Sequence, residues 1–162
     1  MTDNGVFAAF YAATFSSLCA QLYVYTGDMG EAQDVVQEAF TRALPRWSRL
    51  AEYDDPAAWV RKVAWNLATS RWRRMRTVAD FVSRHRESHA PPPTADRVVL
   101  QSALAKLPPR QRQAVVLYYL ADVSIAEIAR LTNAQENTVK TWLHRGRAAL
   151  AGLLDEGVDS DA

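Results

Sequence analysis

Trp65 and Trp72 stand seven residues apart among Arg61, Lys62, Thr69, Arg73 and Arg76. Side chains of these kinds suit a nucleic-acid strand that has to be both neutralised and unstacked. The cations hold phosphates, and an exposed indole stacks on a splayed base at ~1–3 kcal/mol. A second set lies in "NTVKTWLHRGRAAL", residues 137–150. Wound as a helix, that stretch turns Val139, Leu143, Gly146 and Leu150 to one side. Asn137, Thr138, Lys140, Thr141, His144 and Arg145 lie away from that stripe, and no acid is among them. Laid in a DNA major groove, such a face puts Asn137, Thr141 and Arg145 at base edges. Lys140, Arg110 and Arg112 are better placed for phosphates. Plainer readings stand beside both: either tryptophan could pack on a neighbouring helix, and the second set could be the solvated side of an ordinary helical hairpin.

Little else could carry a reaction. There is no phosphate-cradling glycine loop, no paired-cysteine motif and no nucleophile set. His85, His89 and His144 lack metal-ligand spacing. Neither catalysis nor a metal nor a cofactor is expected. Cys19, the single cysteine, cannot form an internal disulfide and fits a reducing cytosol. No run approaches the ~20 apolar residues that span a bilayer, and "MTDNGVFAAF" does not resemble a signal peptide. A cytoplasmic protein without membrane insertion is expected.

The elements that would position these residues are helical throughout, with no alternating strand pattern of useful length. A first helix is predicted from about Val6 to Tyr25 and a second from near Gly30, with Pro45 bending or ending it. In "EYDDP", Asp55 can cap a third helix that has Pro56 at its first position and runs to at least Arg76. "ESHAPPPTA", residues 87–95, holds three consecutive prolines and reads as an extended linker. Helices at about 96–106, 109–120, 124–131 and 135–153 follow, and the acidic tail 154–162 is expected to be disordered. The fold class is therefore all-α, with two small helical domains of three and four helices. In the second, Ser124 and Glu127 form a capping box, and Ile125, Ile128 and Ala129 face inward. Asn133 is best able to take a left-handed turn. Helix, tight turn, helix is the helix-turn-helix pattern.

The net charge of +1 conceals a strong asymmetry. Residues 1–58 carry eight acids against three bases, residues 59–86 eight bases against one acid, and residues 96–150 eight bases against four acids. A basic partner for the front and a polyanion for the later blocks would fit. On the second helix Ala32, Val35, Val36, Ala39, Phe40 and Ala43 make a buried face, opposite Asp34, Gln37, Glu38 and Thr41. That outer face is either a solvated surface or a dock for a basic partner.

With these residues in view, "LPPRQRQAVVLYYLADVSIAEIARLTNAQENTVKTWLHRGRAAL" resembles the −35-reading domain of bacterial extracytoplasmic-function (ECF) sigma factors. "YTGDMGEAQDVVQEAFTRAL" and "AWVRKVAWNLATSRWRR" resemble their core-binding, −10-opening domain. The resemblance covers about residues 6–86 and 96–150. It implies domains at 1–86 and 96–153, a linker at 87–95, and no catalysis by this chain. It implies that Asp34, Gln37, Glu38 and Thr41 dock on the β′ clamp helices of core RNA polymerase, and that the second domain rests on the β flap. It also implies that Arg61, Lys62, Trp65, Asn66, Thr69, Trp72 and Arg73 meet −10 promoter DNA, with Tyr53 receiving a flipped base. ECF sigma factors are commonly held by an anti-sigma factor, a further expected partner. Four positions depart from the family pattern: Asn133 replaces the turn glycine, Gln135 the capping serine, and Trp142 and Trp65 replace arginines. A stand-alone helix-turn-helix regulator and a protein-binding helical adaptor are the alternatives. Binding duplex DNA as a dimer without polymerase would mark the first.

Overall fold

The computed structural model describes residues 3–78 and 94–159, with backbone alone at 72–73, 75–78 and 157–159. The chain divides into two compact units, Met1–His89 and Ala90–Ala162. All regular structure among the described residues is helical.

In the first unit, α1 (Asp3–Thr26), α2 (Met29–Ala43) and α4 (Pro56–Val78) pack against one another. A 3-10 turn (Leu44–Arg46) and the one-turn α3 (Trp47–Leu50) join α2 to α4. Asp28 caps α2 by accepting from the Glu31 N–H at 3.1 Å. Pro45, which offers no N–H, falls just past the end of α2. Asp55 accepts from the Ala58 N–H at 3.2 Å and starts α4, with Pro56 as its first residue. Each cap satisfies a backbone donor that the first helical turn leaves free.

The six residues expected on the inner face of α2 are all buried. Phe40 at their centre is ringed by α1 aromatics: Tyr11 meets it edge-on at 4.8 Å, and Phe10 stacks on Trp47 at 5.0 Å. Cys19 is buried, and burial pushes its thiol up to about 11, so it packs as a small apolar group. Length and composition alone would let α1 span a membrane, a test that the core helix of a soluble protein also passes. Its buried residues are Leu18, Cys19, Leu22, Tyr23 and Tyr25.

The second unit is built around α8 (Glu136–Asp159), against which α5 (Ala95–Ala105), α6 (Pro109–Val115) and α7 (Ile125–Thr132) all pack. Thr94 caps α5, so the last two residues of the expected 87–95 linker belong to this unit; 87–93 lie outside the described residues. Two further expectations fail. Instead of one helix over 109–120, α6 passes into a π-helical segment, Val116–Leu120, closed by the Ala121 N–H on the Val116 carbonyl at 3.1 Å. Tyr118, Tyr119 and Leu120 are left exposed there. And α8 does not stop at 153: residues 154–159, expected in a disordered tail, continue it, while 160–162 lie outside the described residues.

Candidate nucleic-acid and polymerase interfaces

The helical hairpin of the second unit forms for local reasons. Ser124 accepts from the Glu127 N–H at 3.2 Å and starts α7. Asn133 ends α7 in the left-handed region, at φ 54° and ψ 44°, and its N–H reaches back to the Arg130 carbonyl. Few side chains other than Asn tolerate that conformation without strain. The chain then turns directly into α8. Val139, Leu143 and Gly146 are buried, whereas Ile125, expected inward, is only half-buried.

Gly146 lets α6 come close: a Cβ there would stand 2.8 Å from Val115 Cγ2. Asn137, Thr138, Lys140, Thr141, His144 and Arg145 are all exposed on the outer side of α8. Thr141 donates its hydroxyl hydrogen to the Asn137 carbonyl at 3.0 Å. It therefore offers a base edge an acceptor lone pair and a methyl group. Arg147, absent from the sequence-based set, extends this basic side and donates to the Tyr119 hydroxyl at 3.0 Å. With Lys140, His144, Tyr118 and Tyr119 it lines a shallow pocket. The contact with Tyr119 crosses from one element to another, which spacing along α8 does not disclose.

The two arginines expected at phosphates part company. Arg110 is exposed, with its guanidinium 5.8 Å from the centre of the half-buried Trp142 ring. Arg112 is 5 % exposed. Its Nη2 donates to the Ala105 and Leu107 carbonyls, both at 3.2 Å. The Ala105 carbonyl ends α5, where helical partners are missing and the helix dipole is negative, and Leu107 follows two residues on. Arg112 is thus turned inward as a structural clasp rather than presented on the outer surface.

The DNA-facing assignment of α4 needs a larger correction. Trp65, expected to be free to stack on a base, is 0 % exposed and meets Tyr25 edge-on at 4.9 Å. The inner face of α4 is made by Val60, Ala64, Trp65 and Ala68. Val63 and Leu67 are half-buried at its margin. Small alanines let the neighbouring helices come close, so the helix is turned toward them and carries Trp65 inward. Arg61 is half-buried as well and is not free of partners.

The outward side of α4 shows Lys62, Asn66, Ser70 and Arg74. Thr69 is half-buried, its hydroxyl donating to the Trp65 carbonyl at 3.0 Å. Trp72 and Arg73 lie on α4, but their side chains are outside the described residues. Spacing also missed Trp59, half-buried at the start of α4, with the Arg46 guanidinium 5.9 Å from its ring centre. Ahead of α4, Tyr53 is exposed in a turn with Glu52, Asp54 and Asp55.

On α2, Asp34, Gln37 and Thr41 are exposed and Glu38 is half-buried. The face is less bare than composition suggests. Glu38 pairs with Arg42 at 3.0 Å, and Gln37 Oε1 accepts from the Tyr11 hydroxyl at 3.0 Å. That bond leaves the Gln37 amide N–H groups for a partner.

Two helical units, one presenting a helix-turn-helix with a polar, acid-poor outer face, define a DNA-binding protein. Comparison with known proteins narrows the class. Residues 10–77 match the family model for Sigma-70 region 2, and residues 97–150 that for Sigma-70 region 4. The RNA polymerase sigma-E factor of Streptomyces coelicolor is 34% identical over 137 residues, covering 83% of this chain and 76% of that protein. The ECF RNA polymerase sigma factor SigL of Mycobacterium tuberculosis is 32% identical over 162 residues, covering 92% and 91%. Among solved structures, the sigma factor RpoE in complex with the anti-sigma factor NepR from Bartonella quintana matches with a TM-score of 0.76 at 25% identity. It covers 92% of this chain and 96% of that one. The chain belongs to the ECF sigma factors of bacterial RNA polymerase. It directs core RNA polymerase to promoters, and its partners are core polymerase and promoter DNA. Sigma factors as a family are not enzymes.

Proposed function

We propose the following division of labour for this sigma factor. The outer face of α8 reads the −35 element in the major groove: Asn137, Thr138, Thr141 and Arg145 at base edges, Lys140, His144 and Arg110 at the backbone. The outward side of α4 holds −10 DNA through Lys62, Asn66, Thr69 and Arg73, with Arg61 at the margin. Tyr53 receives an extruded base, and Trp72 remains the stacking candidate on this helix now that Trp65 lies in the core. Asp34, Gln37, Glu38 and Thr41 dock on the β′ clamp helices, and the second unit rests on the β flap. Residues 1–86 then act as the core-binding and melting domain, 87–93 as a tether and 94–159 as the −35 reader. Tethering lets two modest contacts reinforce one another through effective concentration.

The chain works in the cytoplasm and catalyses nothing itself; phosphodiester chemistry belongs to the polymerase. By analogy with the RpoE–NepR complex, an anti-sigma factor covers these faces when the chain is idle.

The observation that carries this reading is the outer face of α8, six exposed polar or cationic residues set against a buried Val139–Leu143–Gly146 stripe. Run-off transcription with purified core enzyme tests it. Transcripts should require both the chain and a promoter with −10 and −35 elements, and Arg145→Ala should abolish dependence on the −35 sequence. Tight dimeric binding to duplex DNA, with no effect on core polymerase, would overturn it.

A further inference from the structure

Arg110 is an exposed cation held by neutral groups on two sides. Its guanidinium lies 5.8 Å from the centre of the Trp142 ring, and Nη1 donates to Gln113 Oε1 at 3.4 Å. Gln113 is 2 % exposed, so its amide is a fixed post. Among the described residues no carboxylate pairs with Arg110. An aromatic face and an amide orient a guanidinium without neutralising it. The usual surface arrangement, an arginine opposite an acid, would spend the charge inside the protein.

The position of this cation follows from the packing. Gly146 brings α6 close to α8, where a Cβ would stand 2.8 Å from Val115 and 3.6 Å from Gln111. The first turn of α6 therefore reaches Trp142. On α8, Trp142 is one turn from both Thr138 and Arg145, the residues assigned to base edges. Arg110 thus stands at the rim of the recognition face but on a different helix. A planar, pre-oriented guanidinium is suited to the two oxygens of a phosphate.

We propose that Arg110, Trp142 and Gln113 form a preorganised phosphate seat on the DNA strand flanking the −35 groove. Arg110 is the contact, and Trp142 is a positioning residue that reads no base itself. The inference deepens the −35 reading of α8 and rests on it.

The test uses the intact chain and a short labelled duplex carrying the −35 element of a promoter on which the chain supports run-off transcription. Binding is followed by fluorescence anisotropy across a salt series, with a scrambled duplex alongside. Arg110→Gln should lower affinity about fivefold on both duplexes. It should also make the slope of log K against log salt shallower by ~0.9, the signature of one lost phosphate contact. Trp142→Leu should reproduce most of the affinity loss when Arg110 is present and add nothing in the Arg110→Gln background. Trp142→Phe, which keeps an aromatic face, should restore it. Thermal melts of each variant separate these effects from misfolding. An unchanged salt slope in Arg110→Gln, or additive losses in the double variant, overturns the seat. Arg145→Ala serves as the independent control. If it leaves discrimination between the two duplexes intact, the −35 reading fails, and the salt slope alone still decides whether Arg110 touches a phosphate.

Discussion

α4 and α8 are both long helices assigned to DNA, and the same rule of helical spacing succeeds on one and misleads on the other. On α8 the inner stripe is set by large side chains, Val139 and Leu143, and by a glycine where α6 crosses. Every polar residue placed opposite that stripe is exposed. On α4 the contact is made through Ala64 and Ala68, and an indole closes the gap beside them. A pattern weighted by side-chain size finds the first face and misjudges the second, because close approach at alanine buries whatever stands next to it. Tryptophan is ambiguous by nature, since it suits a core and a stacking platform equally well.

The sharpest way to break this contrast is to truncate the tryptophan. Trp65→Ala should destabilise the first unit by ~3–5 kcal/mol, the usual cost of removing a large buried aromatic. Unit-resolved hydrogen exchange should show the loss in residues of α1, α2 and α4, with α8 unaffected. If Trp65→Ala instead left protection unchanged and impaired only promoter opening, the indole would be a DNA contact after all. The matching change in the second unit is Gly146→Val. Its new side chain would collide with Val115, costing ~1–3 kcal/mol by overpacking. Protection should fall in α6 and α8 only.

The two arginines sharpen the comparison within one helix. Arg112→Gln removes donors from the Ala105 and Leu107 carbonyls. It should cost ~1–3 kcal/mol of stability in the second unit. Its effect on the salt dependence of DNA binding should be nil once folded protein is compared with folded protein. Lys140→Ala should do the reverse, leaving the melt unchanged and making the salt slope shallower by ~0.9. A shallower slope for Arg112→Gln would contradict the clasp.

Alkaline titration separates the units in another way. The buried thiol of Cys19 is raised to about 11 from an ordinary value of 9.0. Its neutral form is therefore favoured in the folded state. The resulting stabilisation is complete below pH 9 and is lost as pH rises toward 11. The first unit should lose stability over that window, and Cys19→Ala should remove this part of the decline.

What was legible in the sequence was local. Asp55, Ser124 and Asn133 act on backbone groups within a few residues of themselves, so their types announce their roles. The α2 face was legible because valines and a phenylalanine define it. Trp65, Arg112 and the Arg147–Tyr119 contact were not, since each depends on a partner from another element. The π-helical segment at Val116–Leu120 was hidden for a similar reason: its apolar and aromatic run reads equally well as α-helix. The continuation of α8 to Asp159 was hidden because an acidic stretch suits an unstructured tail as well as a helix end.

The smallest expected effect lies in the turn between α7 and α8, where local legibility can be tested to its limit. Asn133 holds φ at 54°, a conformation in which any Cβ is crowded by the backbone. Asparagine is the mildest non-glycine choice there, so Asn133→Gly should stabilise the second unit by only ~0.5 kcal/mol, despite glycine's greater freedom in the unfolded chain. Asn133→Ala should destabilise it by ~1 kcal/mol, because alanine meets the strain without asparagine's tolerance for it. The pair therefore brackets the native residue, and thermal melts of both variants measure the bracket. If alanine proved neutral, the turn would be relaxing out of the left-handed region, and the start of α8 would be set by its packing on α6 and α7 alone. The outer face of α8 stays exposed under either outcome, so −35 discrimination should survive in both variants.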